Sequence, residues 1–317
     1  MLNRLNGLHY PQEYLCLSNG TFDQPLHAYI ISNGLIFQDI TYRHCFIGYH
    51  PVIFALSSSQ TLSPYPEEIT IAFSNKILSQ NGGFNPKDAV ASLIFKKIKA
   101  IAGDGPVAFY EASKGQHRFI SSFHQFVIQL HNHLYQKKPG NVFLGGNLLK
   151  QVQIAYSLPR NISLITVGQN DQFNLFPTDL HGPIDKDRYI ISLRHEGKAS
   201  RQVVDANRIL LTEVHSNLYK TVYSLGKNHM QELKAKGKHP FSGMVSDNLQ
   251  LPIPQMPLRY RELELEESFV HGIHRVMNFK VLYEKKIQDI SASLAHIHNT
   301  YATWRQNNQL SGNYLLR

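Results

Sequence analysis

An aspartate and a histidine stand two residues apart in the run NLFPTDLHGPI, residues 174–184. Side chains at i and i+2 of an extended segment point the same way, so Asp179 and His181 could act as an acid–base pair. No G-x-S-x-G nucleophile elbow accompanies them, which disfavours a serine hydrolase. Neither a helical nor a strand period fits the run, so we expect a loop of fixed shape. A metal site, a cofactor cradle and a structural corner all remain open.

Three pairs of nearby histidines raise the question of a metal site. HNH (131–133) and HIH (296–298) lie in segments that we predict to be helical. Side chains two residues apart on a helix diverge by about 200°, so neither pair would share an ion. HGIH (271–274) has one-turn spacing, but its glycine and its place between strands predict a hairpin. No set of carboxylates or cysteines accompanies these pairs, and no metal site is predicted.

The two cysteines, Cys16 and Cys45, exclude a disulfide-dense scaffold and a four-cysteine metal site. Cys45 lies in YRHCFIGYHP, close to His44 and His50. A cysteine nucleophile is conceivable there. The simpler interpretation is a buried free cysteine in a strand, because cysteine often serves as a small core residue.

The run RHEGKASRQVVDANRILLTEV (194–214) predicts a short helix followed by a strand. The first turn of this helix carries Lys198, Ser200 and Arg201, a hydroxyl between two cations. Backbone N–H groups and the helix dipole favour a phosphate at such an end. An ordinary solvated helix start is the alternative. Standard nucleotide motifs, a P-loop or G-x-G-x-x-G, are absent from the sequence.

The bulk composition is that of a globular protein large enough for two cores. The chain has 317 residues, of which 42% are hydrophobic and 17% charged. No apolar run approaches the roughly 20 residues of a membrane span. The amino terminus has no clear signal-peptide core. We therefore expect a cytoplasmic protein without membrane association.

The formal net charge is +9, which permits nucleic-acid binding and also suits a protein that attracts phosphate-bearing cofactors. The densest basic stretch is LKAKGKHP (233–240), interpreted as a polar helix end or loop. The sequence contains no RNP-like, helix-turn-helix or zinc-finger pattern. Nucleic acid is therefore not a predicted partner.

The amino-terminal part reads as an α+β domain over residues 1–145. Short β-rich segments fill residues 10–75, separated by Asn-Gly and Pro. Helical spacing of apolar residues predicts one helix over 85–103 and another over roughly 119–136, with a strand between them. The Pro- and Gly-containing stretch 136–147 marks the predicted boundary.

The carboxy-terminal part, residues 146–317, is again mostly strand. Its short β-rich segments have the spacing of a barrel or sandwich. They include SLITVG, RYIISLR, NRILLTEV, RYRELELEESFV and HRVMNFKVLYEKKI. A closing helix is predicted over about 289–306.

Three fragments in this part, taken in order, resemble the flavin-reductase-like family of FMN-binding split barrels. AYSLPRNISLITVGQNDQFNLFPTDLHGP resembles the family's first strand and its flavin-lining stretch. YIISLRHEGKASRQVVDANRILLTEV resembles the next strand, the phosphate-binding helix start and a further strand. PIPQMPLRYRELELEESFVHGIHRVMNFKVL resembles the Pro-rich approach and the histidine-bearing hairpin. The resemblance covers residues from about 150 to 284.

The resemblance implies an α+β fold class, with a carboxy-terminal FMN-binding split β-barrel and an amino-terminal α+β accessory domain. It further implies a homodimer that passes hydride between a nicotinamide nucleotide, NADH or NADPH, and bound FMN. His274 matches a histidine near the nicotinamide and the flavin, and is the implied catalytic residue. The implied cofactor-binding residues are Asn174, Phe176, Thr178, Lys198, Ser200 and Arg201.

Three features depart from the family pattern. The last strand carries Asn278 and Phe279 where a glycine is usual, DLHGPI is more polar than its equivalents, and residues 1–145 have no counterpart in the minimal reductase. Two other classes therefore stay open. One is a non-catalytic flavin- or haem-binding protein, and the other is an enzyme whose chemistry lies in the amino-terminal domain.

Overall fold

The fold is mostly β with some helices, and its described residues fall into two compact units. The first unit is drawn mainly from Asp23–Leu158 and Ile297–Gly312, and the second mainly from Pro159–His296. The computed structural model describes residues 12–18, 26–57, 65–101, 106–135, 144–288, 292–310 and 314–316.

The strands up to residue 117 are β1 (Gln12–Ser18), β2 (His27–Ser32), β3 (Leu35–Asp39), β4 (His44–Tyr49), β5 (Val52–Ser57), β6 (Glu68–Ser74), β7 (Ala91–Ile101) and β8 (Val107–His117). β2 to β8 form an antiparallel sheet in the order β3-β2-β6-β7-β8-β5-β4. Its core is aromatic: the Phe54 ring centroid lies 4.8 Å from that of Phe95 and 5.2 Å from that of Phe46. The strands predicted from residues 10–75 are confirmed.

The helix predicted over 85–103 is wrong, because most of this segment is the strand β7. Asn85 does cap a helix, accepting a hydrogen bond from the Lys87 N–H, but that helix is the single 3₁₀ turn Pro86–Asp88. Beyond it, Leu93 and Phe95 alternate into the core, and β7 pairs with β6 on one side and β8 on the other. Pairing along two edges outweighs the helical spacing of the isoleucines.

The helices are α1 (Ser122–Tyr135), α2 (Leu148–Ala155), α3 (Lys198–Ala206), α4 (Tyr219–Leu225) and α5 (Asn299–Asn307). Further 3₁₀ helices span Ser216–Leu218, Gly226–Met230 and Lys236–Lys238. α1 confirms the helix predicted near 119–136, although Phe123 and Phe126 on its apolar face are exposed. The helix predicted over 289–306 is only half right. Its first part is a strand, and α5 begins after His298, whose ring accepts from the Thr300 N–H.

The remaining strands are β9 (Arg160–Asn161), β10 (Ser163–Gln169), β11 (Gln172–Thr178), β12 (His181–Pro183), β13 (Arg188–Arg194), β14 (Arg208–Val214), β15 (Lys234–Ala235), β16 (Phe241–Val245), β17 (Pro252–Pro254), β18 (Pro257–His271), β19 (His274–Lys286), β20 (Ala292–His298) and β21 (Tyr314–Leu316). The main sheet of the second unit is antiparallel, in the order β12-β13-β19-β18-β14-β10-β11-β15. The order ends at two different edge strands, so the described strands form an open sheet. Two smaller sheets, β16-β17 and β21-β1-β20-β9, complete the set.

One face of this main sheet carries a closed apolar core against which α3 packs. Ile165 and Phe176 from β10 and β11 share the core with Ala199 and Val203 from α3 and with Met277 from β19. All five side chains are buried. At about 25 cal/mol per Å² of apolar surface, burial of each large side chain favours folding by roughly 1.5–3 kcal/mol. The start of α3 is therefore held at a fixed place on the sheet.

The run NLFPTDLHGPI is not the loop expected from its sequence. It contains the end of β11, a short connection and the strand β12. β11 pairs with β10 so that Pro177 lies opposite Leu164. On its other side β11 meets β15 only at its first two residues, and proline is tolerated there because no partner strand needs its missing N–H.

Candidate functional site

The strand register brings the predicted catalytic histidine to the region where α3 begins. His274, the first residue of β19, lies opposite Arg194, the last residue of β13. The chain then turns, with the Gly197 N–H donating to the Arg194 carbonyl at 3.0 Å, and enters α3. The fragment that contains β13 and α3 therefore meets the fragment that contains β19 beside the start of α3. Both fragments carried the family resemblance.

The amino end of α3 combines a helix terminus without a side-chain cap and a buried hydroxyl. Gly197 occupies the N-cap position and supplies no capping side chain. The Ser200 hydroxyl is buried and has no hydrogen-bond partner among the described residues. Arg201 is exposed, while Lys198 forms an ion pair with Glu232 at 2.6 Å. Such an end suits an anion, because it presents N–H groups, a helix dipole and a cation together.

Backbone crowds this helix start. A Cβ at Gly197 would lie 3.2 Å from the Arg194 carbonyl oxygen and 3.6 Å from that of His229. Glycine therefore permits the close approach of two backbone segments beside the helix start.

Asn174 lies on β11 with its side chain fully buried. Its Nδ2 donates to Oε1 of Gln202 on α3 at 2.8 Å and to the Asn228 carbonyl at 3.0 Å. Its Oδ1 accepts from the Leu175 N–H at 2.9 Å. The amide thus meets its hydrogen-bonding capacity within the protein. It ties β11 to α3 and to the 3₁₀ helix Gly226–Met230.

Phe176 and Thr178 follow Asn174 at alternate positions of β11, so the three side chains share one face of the strand. Phe176 is buried in the core shared with α3, and Thr178 is also buried. The predicted cofactor residues on β11 and those on α3 are thus brought to the same face of the sheet. Phe176 packs inside this core.

His229 is a site residue that the sequence did not reveal. Its Nε2 lies 2.8 Å from the Pro177 carbonyl oxygen, and its ring centroid is 4.9 Å from that of Phe176. Burial lowers the pKa of His229, so the ring is neutral and its Nε2–H donates to Pro177. His229 thereby links the end of β11 to the start of α3, where its carbonyl approaches Gly197. Only the folded chain juxtaposes these segments.

His274 is buried, and its Nδ1 lies 3.3 Å from the Ser192 hydroxyl on the neighbouring strand. The hairpin predicted from HGIH is confirmed, since His271 lies opposite His274 and Gly272 takes the positive φ that the turn requires. The structure therefore fixes His274 firmly, with its side chain inside the unit.

Asp179 and His181 each bond elsewhere instead of to one another. Asp179 Oδ2 lies 2.6 Å from Nδ1 of His296 and 3.1 Å from the Arg160 guanidinium. The His181 ring stacks on Tyr189, and its Nδ1 lies 2.8 Å from the Tyr189 hydroxyl. The two residues therefore take part in structural contacts, and their sequence spacing does not translate into a catalytic dyad.

A second buried charge cluster lies on β14, β18 and β19. Glu213 accepts from Arg261 at 2.9 Å and from Arg259 at 2.9 Å. Burial opposes the charged form of Glu213, but the two arginines more than offset it and lower the pKa of that carboxyl. The Arg261 guanidinium also lies 5.1 Å from the ring centroid of Tyr189. Because each of these charges is paired, we assign the cluster a structural role in the sheet.

In the first unit, Cys45 lies on β4, where it is partly buried between the partly buried His44 and the buried Phe46. Burial raises the pKa of its thiol to about 12, so the thiol stays protonated at neutral pH. His44 bonds the Ile40 carbonyl through Nδ1 at 2.7 Å, and its ring stacks on Phe54 at 5.0 Å. This arrangement supplies no thiolate and lends no support to a cysteine nucleophile there.

The HIH pair lies on β20, and the helical interpretation of it was wrong. His296 bonds Asp179, whereas His298 caps α5. Within the described ranges, no group of three or more His, Cys, Asp or Glu side chains is placed to hold a metal ion. None of the helices in that part of the chain is both long and apolar enough to cross a membrane.

Comparisons with known proteins give partial likenesses only. No protein-family model and no curated protein matches the chain. Among solved structures, an NADH:FAD oxidoreductase from Streptomyces globisporus is 8% identical over 51% of this chain and 96% of its own, with a TM-score of 0.43. An FMN-binding protein from Thermus thermophilus is 18% identical over 40% and 71%, with a TM-score of 0.36. Component B of nitrilotriacetate monooxygenase from Mycobacterium thermoresistibile is 10% identical over 52% and 84%, with a TM-score of 0.41. Likenesses of this size identify neither an activity nor a ligand for this chain.

Proposed function

We propose that this chain is an FMN-binding oxidoreductase of the flavin-reductase-like class, and that its second unit is a split β-barrel that holds the flavin. The three sequence fragments that resemble the family lie on neighbouring elements of one antiparallel sheet. They form β10–β11, β13–α3–β14 and β18–β19. This adjacency supports the proposal, because the resemblance required those fragments to build one site.

The observation that carries the proposal is the amino end of α3. A buried hydroxyl without a partner costs roughly 1–3 kcal/mol, and Ser200 has such a hydroxyl beside the first-turn N–H groups, for which the N-cap Gly197 supplies no side-chain acceptor. A phosphate oxygen would satisfy both, and Arg201 would add a charge-assisted hydrogen bond. The donor set therefore fits the phosphate of FMN.

The other predicted residues divide between contact and support. Thr178, at the end of β11, is proposed to face the flavin together with the backbone of that strand. Asn174 and Phe176 are proposed to act as positioning residues, since their side chains are committed to α3 and the core. Lys198 lies in the same helix turn and pairs with Glu232. It is proposed to exchange this ion pair for a contact with the phosphate.

When bound, FMN supplies the hydride and electron chemistry, and the protein orients it and sets its surroundings. His274 is proposed to orient the nicotinamide nucleotide, NADH or NADPH, or another donor at the flavin. A homodimer and a cytoplasmic location belong to the same proposal. A specific observation favours one rival, a non-catalytic flavin-binding protein: His274 is buried against Ser192.

The decisive experiment is an absorbance titration of the purified protein with FMN. We expect the double change Ser200→Ala and Arg201→Ala to weaken FMN binding by roughly 100-fold or more, from two lost charge-assisted hydrogen bonds. The matched control is Arg43→Ala with Ser79→Ala in the first unit, which removes the same groups from exposed positions. A wild-type protein that does not bind FMN contradicts the proposal, as does equal affinity of both double variants.

Hydride transfer is tested separately, by adding NADH or NADPH to the FMN-bound protein without oxygen. Bleaching of the flavin absorbance supports the reductase. A flavin that stays yellow with both nucleotides contradicts a nicotinamide-dependent reductase and favours the binding protein.

A further inference from the structure

A concave site of the second unit shares no lining side chain with the residues proposed to bind FMN. It is a cavity of about 310 Å³ formed by α4, the 3₁₀ helix Gly226–Met230, β15 and the segment Lys236–Pro240. Ligand sites for small molecules start at about this volume. The basic stretch LKAKGKHP contributes much of its lining.

The lining is strongly cationic. Lys227, Lys234 and Lys238 reach the cavity from three different elements. In the described part of the chain, no aspartate or glutamate lines it. The nearest acidic residue in sequence, Glu232, is paired with Lys198. All three lysines are exposed, and the Lys234 ammonium donates to Oε1 of Gln231, which also lines the cavity. Three like charges around one depression favour an anion between them.

Neutral polar groups complete the lining. Thr221 and Ser224 bring hydroxyls, and the Ser224 hydroxyl already donates to the Thr221 carbonyl at 2.7 Å. His239 donates from Nε2 to the Phe173 carbonyl oxygen at 2.9 Å. The Nδ1 of His239 is buried and has no hydrogen-bond partner among the described residues. The lining therefore retains hydrogen-bonding capacity that a polar ligand could use.

The cavity wall is held in place by the protein itself. Asn228 Nδ2 donates to the Leu175 carbonyl at 2.8 Å, and His239 bonds Phe173 on the same strand, β11. The backbone of the cavity therefore needs no ligand to take its shape, which reduces the entropy lost on binding.

We propose that this cavity binds a small phosphate-bearing molecule. Lysine ammonium groups act as point charges that suit the tetrahedral, multiply charged phosphate group, whereas planar carboxylates favour the arginine fork. The proposed occupant is a compact anion, such as a phosphate or diphosphate group with a small organic part. The lining residues and the α3 donors are different side chains, and the two sets adjoin where the Gln231 carbonyl accepts from Gln202 of α3 at 2.9 Å.

The test is isothermal titration of the full-length protein with inorganic pyrophosphate in the absence of flavin. The protein carries Ser200→Ala and Arg201→Ala throughout, so that α3 does not compete for the probe. We expect one pyrophosphate per chain. Changing Lys227, Lys234 and Lys238 together to Gln should weaken binding about 30-fold or more, since each lost charged contact removes a substantial part of the affinity. The matched control changes the exposed residues Lys76, Lys87 and Lys114 to Gln.

The two triple variants have the same net charge, so only a local site separates them. Equal loss of affinity in both, or no pyrophosphate binding by the parent protein, would overturn the proposal. Citrate, an anion without phosphate, should bind more weakly than pyrophosphate, and tighter citrate binding would overturn the choice of phosphate. Because flavin is absent from the assay, a failure to bind FMN leaves the result intact.

A labelling experiment locates the probe. Pyrophosphate should protect Lys227, Lys234 and Lys238 from acetylation, as read by mass spectrometry, and leave Lys76 and Lys114 unprotected. Protection of lysines elsewhere without protection of these three would contradict the assignment.

Discussion

The carboxylate of Asp179 lies 2.6 Å from Nδ1 of His296, a residue 117 positions later in the chain. Burial alone would raise the pKa of Asp179, but the Arg160 guanidinium and the bond to His296 hold it below its usual range. Burial also lowers the pKa of His296, so its neutral ring donates Nδ1–H to the ionised carboxylate. An aspartate that seemed paired with His181 in the sequence thus joins β20 to the connection between β11 and β12.

Replacing Asp179 with Asn should destabilise the protein. The change removes the carboxylate charge that pairs with the buried Arg160, and breaking a buried ion pair costs roughly 3–5 kcal/mol. The free energy of unfolding, measured by urea titration with circular dichroism, tests this. Asp171→Asn at an exposed turn is the matched control and should cost little, because asparagine favours the positive φ found there. A loss no larger than that of the control would remove the proposed role of the Asp179 cluster.

His181 should make stability depend on pH. Burial lowers its pKa from about 6.5 in the unfolded chain to about 4 in the folded protein. Between those values the unfolded state binds more protons, so the free energy of unfolding should fall as the pH decreases from 6.5 to 4. The His181→Gln variant should show a shallower dependence over this interval. The matched control is His133→Gln, at an exposed position of α1. Equal slopes for wild type and His181→Gln would contradict the assignment.

Cys45 should be chemically inert in the folded protein. A thiol whose pKa is about 12 has almost no thiolate at neutral pH, and thiolate is the reactive form. Iodoacetamide should therefore alkylate Cys45 slowly in native protein and rapidly after denaturation, as followed on the Cys45 peptide by mass spectrometry. Rapid native labelling would reopen a cysteine-dependent activity in the first unit.

His229 should influence FMN affinity without contacting the phosphate, a prediction that rests on the proposed function. His229→Ala removes the donor to Pro177 beside Phe176, and we expect about tenfold weaker FMN binding from one lost hydrogen bond. His229→Gln, which retains an N–H donor, should recover part of that loss. His195→Ala is the control, since His195 precedes α3 but faces Glu196. Wild-type affinity in His229→Ala would show that this link does not hold the site.

The sequence correctly predicted those helices and strands that are determined by their own residues and the turns next to them. The strands of residues 26–57 are bounded by turn residues and were correctly predicted, as was α3 after Gly197. The prediction for the segment that begins at Ala91 was wrong because its isoleucines fit both the spacing of a helix and that of a strand. The choice between those two depended on β6 and β8, which pair with it from other parts of the chain.

The amino-acid sequence by itself determined the short strands, the helix start at Lys198, Ser200 and Arg201, and the His271–His274 hairpin. These features depend on turn residues, caps and spacing within a few positions. Only the tertiary structure decided that Asp179 bonds His296 and that His229 supports Pro177. Each of those contacts joins residues far apart in the chain, and burial, which exists only after folding, sets both the pairing and the protonation of the side chains.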